Sequence, residues 1–70
     1  MKKAINILTK NGFQVSEQWE DGAQFNKPGI KLVVNKDDSG WYTVSQYEFH
    51  NGYTTEDYFD CELEDLKDFE

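Results

Sequence analysis

Turn signals divide the middle of this chain into segments that suit hairpins and little else. Asp21-Gly22, Pro28-Gly29 and the five-residue stretch Lys36–Gly40 separate segments of only five to ten residues. Parallel neighbours need a crossover of a dozen or more residues, whereas antiparallel neighbours can be joined by a two-residue turn. The spacing therefore predicts an antiparallel meander of about four strands.

The residues between these turns have the composition of strands. Apolar residues alternate with polar ones from Phe13 to Trp19, with Glu17 the one polar residue at an apolar position, and Ala23–Lys27 is the returning strand of that hairpin. Ile30–Asn35 is the most apolar of the segments. Trp41–His50 is rich in aromatic and β-branched residues, which favour strands.

A short helix is predicted ahead of the sheet, over Lys2–Lys10. It has an apolar face, and Asn11-Gly12 is a typical stop. With Gly12 directly after the cap, Leu8 and Phe13 fall where a Schellman motif places its hydrophobic contact.

The last eighteen residues, Tyr53–Glu70, combine acidity with helical periodicity. Wound at about 100° per residue, Thr55–Glu70 gathers four apolar side chains in one sector. These are Phe59, Leu63, Leu66 and Phe69. The pattern predicts a C-terminal amphipathic helix, with Thr54 or Thr55 as its cap. Alternatively, the Asn51-Gly52 turn folds Tyr53–Asp57 back as a fifth strand, and a short strand before the helix would satisfy both signals.

The expected fold is a single α+β domain over residues 1–70, with an N-terminal helix, the meander and an acidic C-terminal helix.

Charge narrows the possible partners. The net charge is −7, but residues 1–36 carry +3 and residues 37–70 carry −10. Such a field repels nucleic acid and anionic membranes and attracts basic surfaces, and the chain has no arginine for bidentate phosphate contacts. We therefore expect a basic protein as partner, with no direct binding to nucleic acid or membrane.

Targeting signals and disulfides are not expected. No segment of the sequence has the length or apolarity of a signal peptide or a membrane span. Cys61 is the only cysteine, which fits a reducing, cytoplasmic compartment. A core this small is marginal, so a homodimer or a tight partner would be an unsurprising source of further stability.

The predicted helix also defines a candidate binding site. On its polar side, four carboxylates recur at three- and four-residue spacing: Asp57, Asp60, Glu64 and Asp68. Neighbouring like charges repel, and acids near a helix C-terminus oppose the helix dipole. An arrangement of charges that destabilises a helix without visible compensation often marks a functional surface. Carboxylates one helical turn apart also approximate the spacing of successive phosphates on a nucleic-acid strand. The alternative is a solvated face that only keeps the protein soluble.

Aromatic residues form a second candidate surface. Trp41, Tyr42, Tyr53 and Tyr58 lie close to the acidic stretch, and tyrosine and tryptophan are common interface anchors. Core packing must account for about half of the aromatic set. Strand alternation places Trp41, Tyr47 and Phe49 on one face and Tyr42 and Val44 on the other.

Catalysis is not predicted. His50 and Cys61 are too few for a zinc site, and their surroundings do not resemble those of a Cys–His nucleophile. The sequence has no phosphate-binding glycine loop and no calcium loop with its required carboxylates. We expect a protein that is not an enzyme and that has no metal and no cofactor.

In size, acidity and lack of catalytic residues, the chain resembles the small inhibitor proteins of phages and mobile elements. Anti-CRISPR proteins, restriction inhibitors and uracil-DNA glycosylase inhibitors are examples. The resemblance is to a class, over the whole chain, and rests on composition and on Tyr53–Glu70. It implies an inhibitor of DNA-mimic type that occupies the basic surface of a host nucleic-acid enzyme. The alternative is an adaptor or a subunit of a bacterial complex whose acidity only provides solubility.

Overall fold

A five-stranded antiparallel sheet forms the body of the protein. The structure is a computed structural model, and it describes residues 1–69. The elements in chain order are α1 (Lys2–Lys10), β1 (Gln14–Trp19), β2 (Gly22–Lys27), β3 (Ile30–Lys36), β4 (Tyr42–His50), β5 (Tyr53–Cys61) and a C-terminal 3₁₀ helix (Leu63–Asp68). The strands lie side by side in sequence order, so the sheet is a simple meander.

The predicted N-terminal helix and its stop signal are confirmed. The backbone N–H of Phe13 donates to the Leu8 carbonyl at 3.0 Å, and the N–H of Gly12 donates to the Thr9 carbonyl at 3.1 Å. Gly12 has φ of +97°. These are the two hydrogen bonds and the left-handed residue of a Schellman motif. The motif turns the chain so that Leu8 and Phe13 both enter the core.

Replacing Gly12 by alanine should lower the free energy of unfolding by about 1 kcal/mol, because a Cβ disfavours the left-handed conformation. Space is not the obstacle, since the nearest atom to an added Cβ would be the flexible Lys27 Cε at 3.4 Å. Chemical denaturation checks the value. Gly12→Asn is the matched control and should cost less, because asparagine tolerates this conformation better than alanine. Equal costs for the two variants would contradict this explanation.

The predicted turns at Pro28-Gly29 and in the β3–β4 loop occur as expected, whereas the first turn lies at Glu20–Asp21 rather than Asp21-Gly22, and Gly22 already belongs to β2. Short connections at Glu20–Asp21 and Pro28–Gly29 join β1 to β2 and β2 to β3. In the β3–β4 loop the Asp37 carboxylate accepts hydrogen bonds from the Ser39 hydroxyl and from the backbone N–H groups of Ser39 and Trp41. These bonds, that of the Ser39 hydroxyl above all, lower the pKa of Asp37. The loop is therefore closed by a carboxylate that is charged at neutral pH.

The predicted C-terminal amphipathic helix is wrong. Residues 53–61 form β5, which pairs with β4 along its whole length, and only Leu63–Asp68 winds into a 3₁₀ helix. The sheet consequently has five strands rather than about four. Tyr53, Thr54, Thr55, Tyr58 and Phe59 have high strand propensity, and the hairpin at Asn51-Gly52 places them beside β4. The like-charge contacts that a helix would have required are avoided.

One face of the sheet, here called the covered face, packs against α1 and the 3₁₀ helix. Its buried residues are Ala23, Phe25, Leu32, Val34, Tyr42, Val44 and Cys61, and they meet Ala4, Leu8, Phe13 and Leu66 from the other elements. The opposite face, the open face, carries rows such as Gln24, Val33, Ser45 and Tyr58, which lie directly opposite one another on neighbouring strands. Among residues 1–69, no helix has the length and apolarity needed to cross a membrane.

Candidate functional site

The acidic edge, β5 together with the 3₁₀ helix that follows it, is the candidate site. Residues 53–60 are all exposed, and only Cys61 at the end of β5 is buried. The strand is nine residues long and lies at the outside of the sheet. An edge strand offers unpaired backbone N–H and C=O groups to another chain.

The sheet register determines which backbone groups of β5 point outward. The Phe49 N–H donates to the Gly29 carbonyl at 2.9 Å, on the β3 side, so Phe49 cannot bond to Thr54, its partner on β5. Backbone groups alternate in direction along an antiparallel strand. Thr54, Glu56, Tyr58 and Asp60 therefore direct their N–H and C=O groups away from β4, and their side chains lie on the open face.

The four carboxylates of the predicted stripe do not share one surface. Asp57 lies opposite Gln46 and Asp60 lies opposite Thr43, so the two acids are on opposite faces of the sheet. Glu64 and Asp68 belong to the 3₁₀ helix. Glu64 also pairs with Lys67 at 3.4 Å. The regular one-turn spacing on which the phosphate comparison rested is absent, although all four side chains are exposed.

Charge is nevertheless segregated across the sheet. The charged residues of β2 and β3 are Lys27, Lys31 and Lys36. Those of β4 and β5 are Glu48, Glu56, Asp57 and Asp60, apart from His50 at the turn. Within residues 1–69 the three carboxylates of β5 have no cationic side chain at ion-pair distance. They are therefore free to interact with a cation from outside the chain.

The four aromatic candidates occupy four different environments. Tyr42 is 5% exposed and belongs to the core, while Trp41 is 43% exposed just before β4. Tyr53 is exposed, and its ring stacks on His50 at the tip of the β4–β5 hairpin, with 4.6 Å between ring centroids. Tyr58, at 69% exposed, stands between Glu56 and Asp60 on the open face. The alternation expected in β4 is confirmed, since Tyr42 and Val44 are buried and Phe49 is exposed.

An open groove of about 480 Å³ lies on the covered side of the acidic edge, between β5 and the 3₁₀ helix. The rings of Phe59 and Phe69 meet edge to face there, with centroids 5.9 Å apart, and Asp65 and Asp68 lie at the rim. Burial, together with the nearby carboxylates of Asp65 and Asp60, raises the pKa of the Cys61 thiol. A neutral thiol is a poor nucleophile, so the groove offers apolar contact rather than reactivity.

Sequence reasoning missed two members of the site. Glu56 is not among the four carboxylates of the predicted stripe, and the helical pattern places Phe59 on a buried side, whereas both residues are exposed on β5. The available signal was the Asn51-Gly52 turn followed by Tyr53-Thr54-Thr55, a strand-forming sequence directly after a hairpin turn.

Comparisons of the chain with protein-family models, with curated proteins and with solved structures find no match. The function therefore has to be argued from the acidic edge itself.

Proposed function

We propose that this protein is a non-enzymatic inhibitor that binds the basic, nucleic-acid-binding surface of a host enzyme, such as a CRISPR or other defence nuclease. The acidic edge makes the contact, in the cytoplasm of the host cell if a phage encodes the protein. The observation that supports the proposal most is the exposure of Glu56, Asp57 and Asp60 with no cationic side chain paired to them among residues 1–69.

Electrostatic complementarity is the physical basis of the proposal. Carboxylates that lack internal partners lose no existing ion pair when a lysine or arginine approaches. The excess of acid on one side of the sheet also orients the molecule during diffusion and speeds its encounter with a basic groove. The same field repels DNA and RNA, so the acidic edge competes with nucleic acid for the groove rather than binding nucleic acid.

The carboxylates act through a strand edge rather than a helical stripe. Successive same-face residues of a strand are about 6.6 Å apart, so Glu56 and Asp60, four residues apart, are separated by about 13 Å. The 3₁₀ helix adds Glu64, Asp65 and Asp68 beyond the end of the strand. The protein thus presents carboxylates on both sides of this edge, with Tyr58 supplying apolar contact on the open face and Phe59 on the covered side.

A second candidate is an adaptor or subunit of a larger complex. The observation in its favour is the open face, where Trp19, Trp41, Phe49 and Tyr58 are partly or largely exposed. Rings of this kind are common at permanent protein interfaces. In that case the partner would keep its activity when bound.

Capture at two ionic strengths tests the proposal. Immobilised protein should retain a basic nucleic-acid enzyme from a bacterial extract at about 50 mM salt and release it at about 500 mM salt or when duplex DNA is added. The recovered enzyme should lose activity when one equivalent of the protein is added. A partner that resists both salt and DNA, or that remains fully active when bound, would count against inhibition and favour the adaptor.

A further inference from the structure

The proposed function leaves open how the partner engages the acidic edge. We infer that the outer edge of β5 receives an extended, lysine- or arginine-bearing segment of the partner protein as a sixth strand of the sheet. This inference rests on the proposed function and adds to it the kind of partner segment and the atoms that bind it.

The two edges of the sheet differ in a way that favours β5. β1 has six residues and is interrupted by a bulge between Val15 and Glu17, which leaves Ser16 out of register. Bulges and short lengths are common means of blocking an edge from pairing with another chain. β5 has nine residues, all in continuous register with β4. It is therefore the edge on which another strand can pair.

The outward backbone groups lie beside the side chains that would select the partner. Thr54, Glu56, Tyr58 and Asp60 each offer one N–H donor and one C=O acceptor on the side away from β4. A strand paired there places its own side chains opposite these four, on the open face. Lysine or arginine opposite Glu56 and Asp60 makes cross-strand ion pairs. A long side chain opposite Tyr58 can cover the exposed ring.

Charge disfavours a second copy of this chain as the occupant. If β5 pairs antiparallel with β5 of a second copy, the two-fold axis can pass through Glu56, Asp57 or Tyr58, the three central residues of the strand. Each of these three registers sets carboxylates directly opposite one another. The facing pairs are Asp57 with Asp57, Glu56 with Glu56, or Glu56 with Asp60. Like charges directly opposite each other destabilise a strand pair. The carboxylates thus oppose self-association and favour a basic strand.

A defined probe tests the inference without the natural partner. The probe is an eight-residue peptide of alternating threonine and lysine, acetylated and amidated at its ends, titrated at low ionic strength with NMR detection. The peptide is expected to pair antiparallel, as all neighbours in this sheet do, and when its lysines then lie on the open face their amides point toward β5. N-methylation of the four lysine amides should then weaken binding at least tenfold. N-methylation of the four threonine amides keeps the same charge and methyl count, and it should leave affinity within about threefold.

Amide hydrogen exchange gives a second readout on the same complex. In the free protein the amides of Glu56, Tyr58 and Asp60 should exchange fast, and those of Thr55, Asp57 and Phe59 slowly. Saturation with the unmodified peptide should slow the first group at least tenfold and leave the second unchanged. No binding of the unmodified peptide, equal binding of both methylated peptides, or loss only with the threonine-methylated form would overturn the inference.

A backbone variant separates this inference from the proposed function. Glu56→Pro removes an outward N–H that makes no bond to β4, and proline is tolerated at such edge positions. Glu56→Gln removes the same charge but keeps the N–H. Glu56→Pro should bind the peptide at least fivefold more weakly than Glu56→Gln, with the slow amides of Thr55 and Asp57 confirming an intact sheet. Equal affinities would overturn strand addition, whereas salt-sensitive enzyme capture by both variants would leave the inhibitor proposal intact.

Discussion

Replacing Glu56, Asp57 and Asp60 together by lysine should weaken binding to the basic partner about 100-fold at low ionic strength. An exposed ion pair contributes roughly 0.5 kcal/mol, and reversal turns each attraction into a repulsion of similar size, or about 1 kcal/mol per position. Three positions then amount to about 3 kcal/mol, which corresponds to roughly 100-fold in Kd. Calorimetric titration of the captured enzyme measures the loss.

A second triple variant controls for the overall field. Glu17→Lys, Glu20→Lys and Asp21→Lys change three exposed acids near the opposite edge, and each reversal adds two positive charges, so both triple variants go from −7 to −1. The control should lose less than about fivefold, and raising the salt to about 500 mM should remove most of the difference between the two variants. Equal losses in both would assign binding to net charge rather than to the acidic edge.

The first two-thirds of the fold could be predicted because its signals are local. Gly12 supplies a left-handed residue that the Schellman motif needs, and dipeptides such as Pro28-Gly29 leave the chain few ways to turn. Short connections then allow only antiparallel neighbours. Once the turns are known, alternation in β4 is enough to place Tyr42 in the core and Phe49 outside.

The end of the chain could not be predicted in the same way because two structures satisfy its apolar pattern. Phe59 and the half-buried or buried Leu63, Leu66 and Phe69 have helical spacing, but a strand that ends at Cys61 and continues into a 3₁₀ helix also brings them to the covered side. The rings of Phe59 and Phe69 are in contact, which a single helix over these residues would not produce. The pairing of β5 with β4 is a tertiary interaction, and it outweighs a local periodicity.

The repulsion among the acids was evidence about the fold as well as about function. Asp60, Glu64 and Asp68 would stand one turn apart in a helix and destabilise it. In the structure Asp60 ends a strand while Glu64 and Asp68 lie on the 3₁₀ helix, so that cost does not arise. The four candidate carboxylates therefore lie on the surface, as expected, but their arrangement could be known only from the sheet register.

The same carboxylates can serve stability and recognition at once. An exposed nine-residue edge strand is a hazard, because it can pair with any extended chain. Acidic side chains along β5 restrict that pairing, because they repel a second copy of this strand and other acidic strands. A basic strand is the exception. Under the proposed function, protection of the edge and selection of a partner would follow from one set of charges.

Leu66 is the residue on which the C-terminal turn depends, and Leu66→Ala should lower the free energy of unfolding by about 2–5 kcal/mol. Its side chain is fully buried against α1 and the sheet. Asn11, at the end of α1, holds the same turn by donating from its side-chain nitrogen to the carbonyls of Lys67 at 3.1 Å and Phe69 at 2.7 Å. A 70-residue domain has a total stability of roughly 4–10 kcal/mol, so this variant should lose about half of it and unfold at a clearly lower urea concentration.

Leu63→Ala is the matched control, because Leu63 lies on the same 3₁₀ helix but is only half-buried. It should cost less than half as much as Leu66→Ala, since less apolar surface is lost from the core. Urea denaturation followed by tryptophan fluorescence measures both values. Equal and small costs for the two variants would mean that the 3₁₀ helix does not close the core. Because β5 leads directly into this 3₁₀ helix, loosening the helix should also weaken peptide binding at the acidic edge. The packing of Leu66 would then affect the proposed function as well as stability.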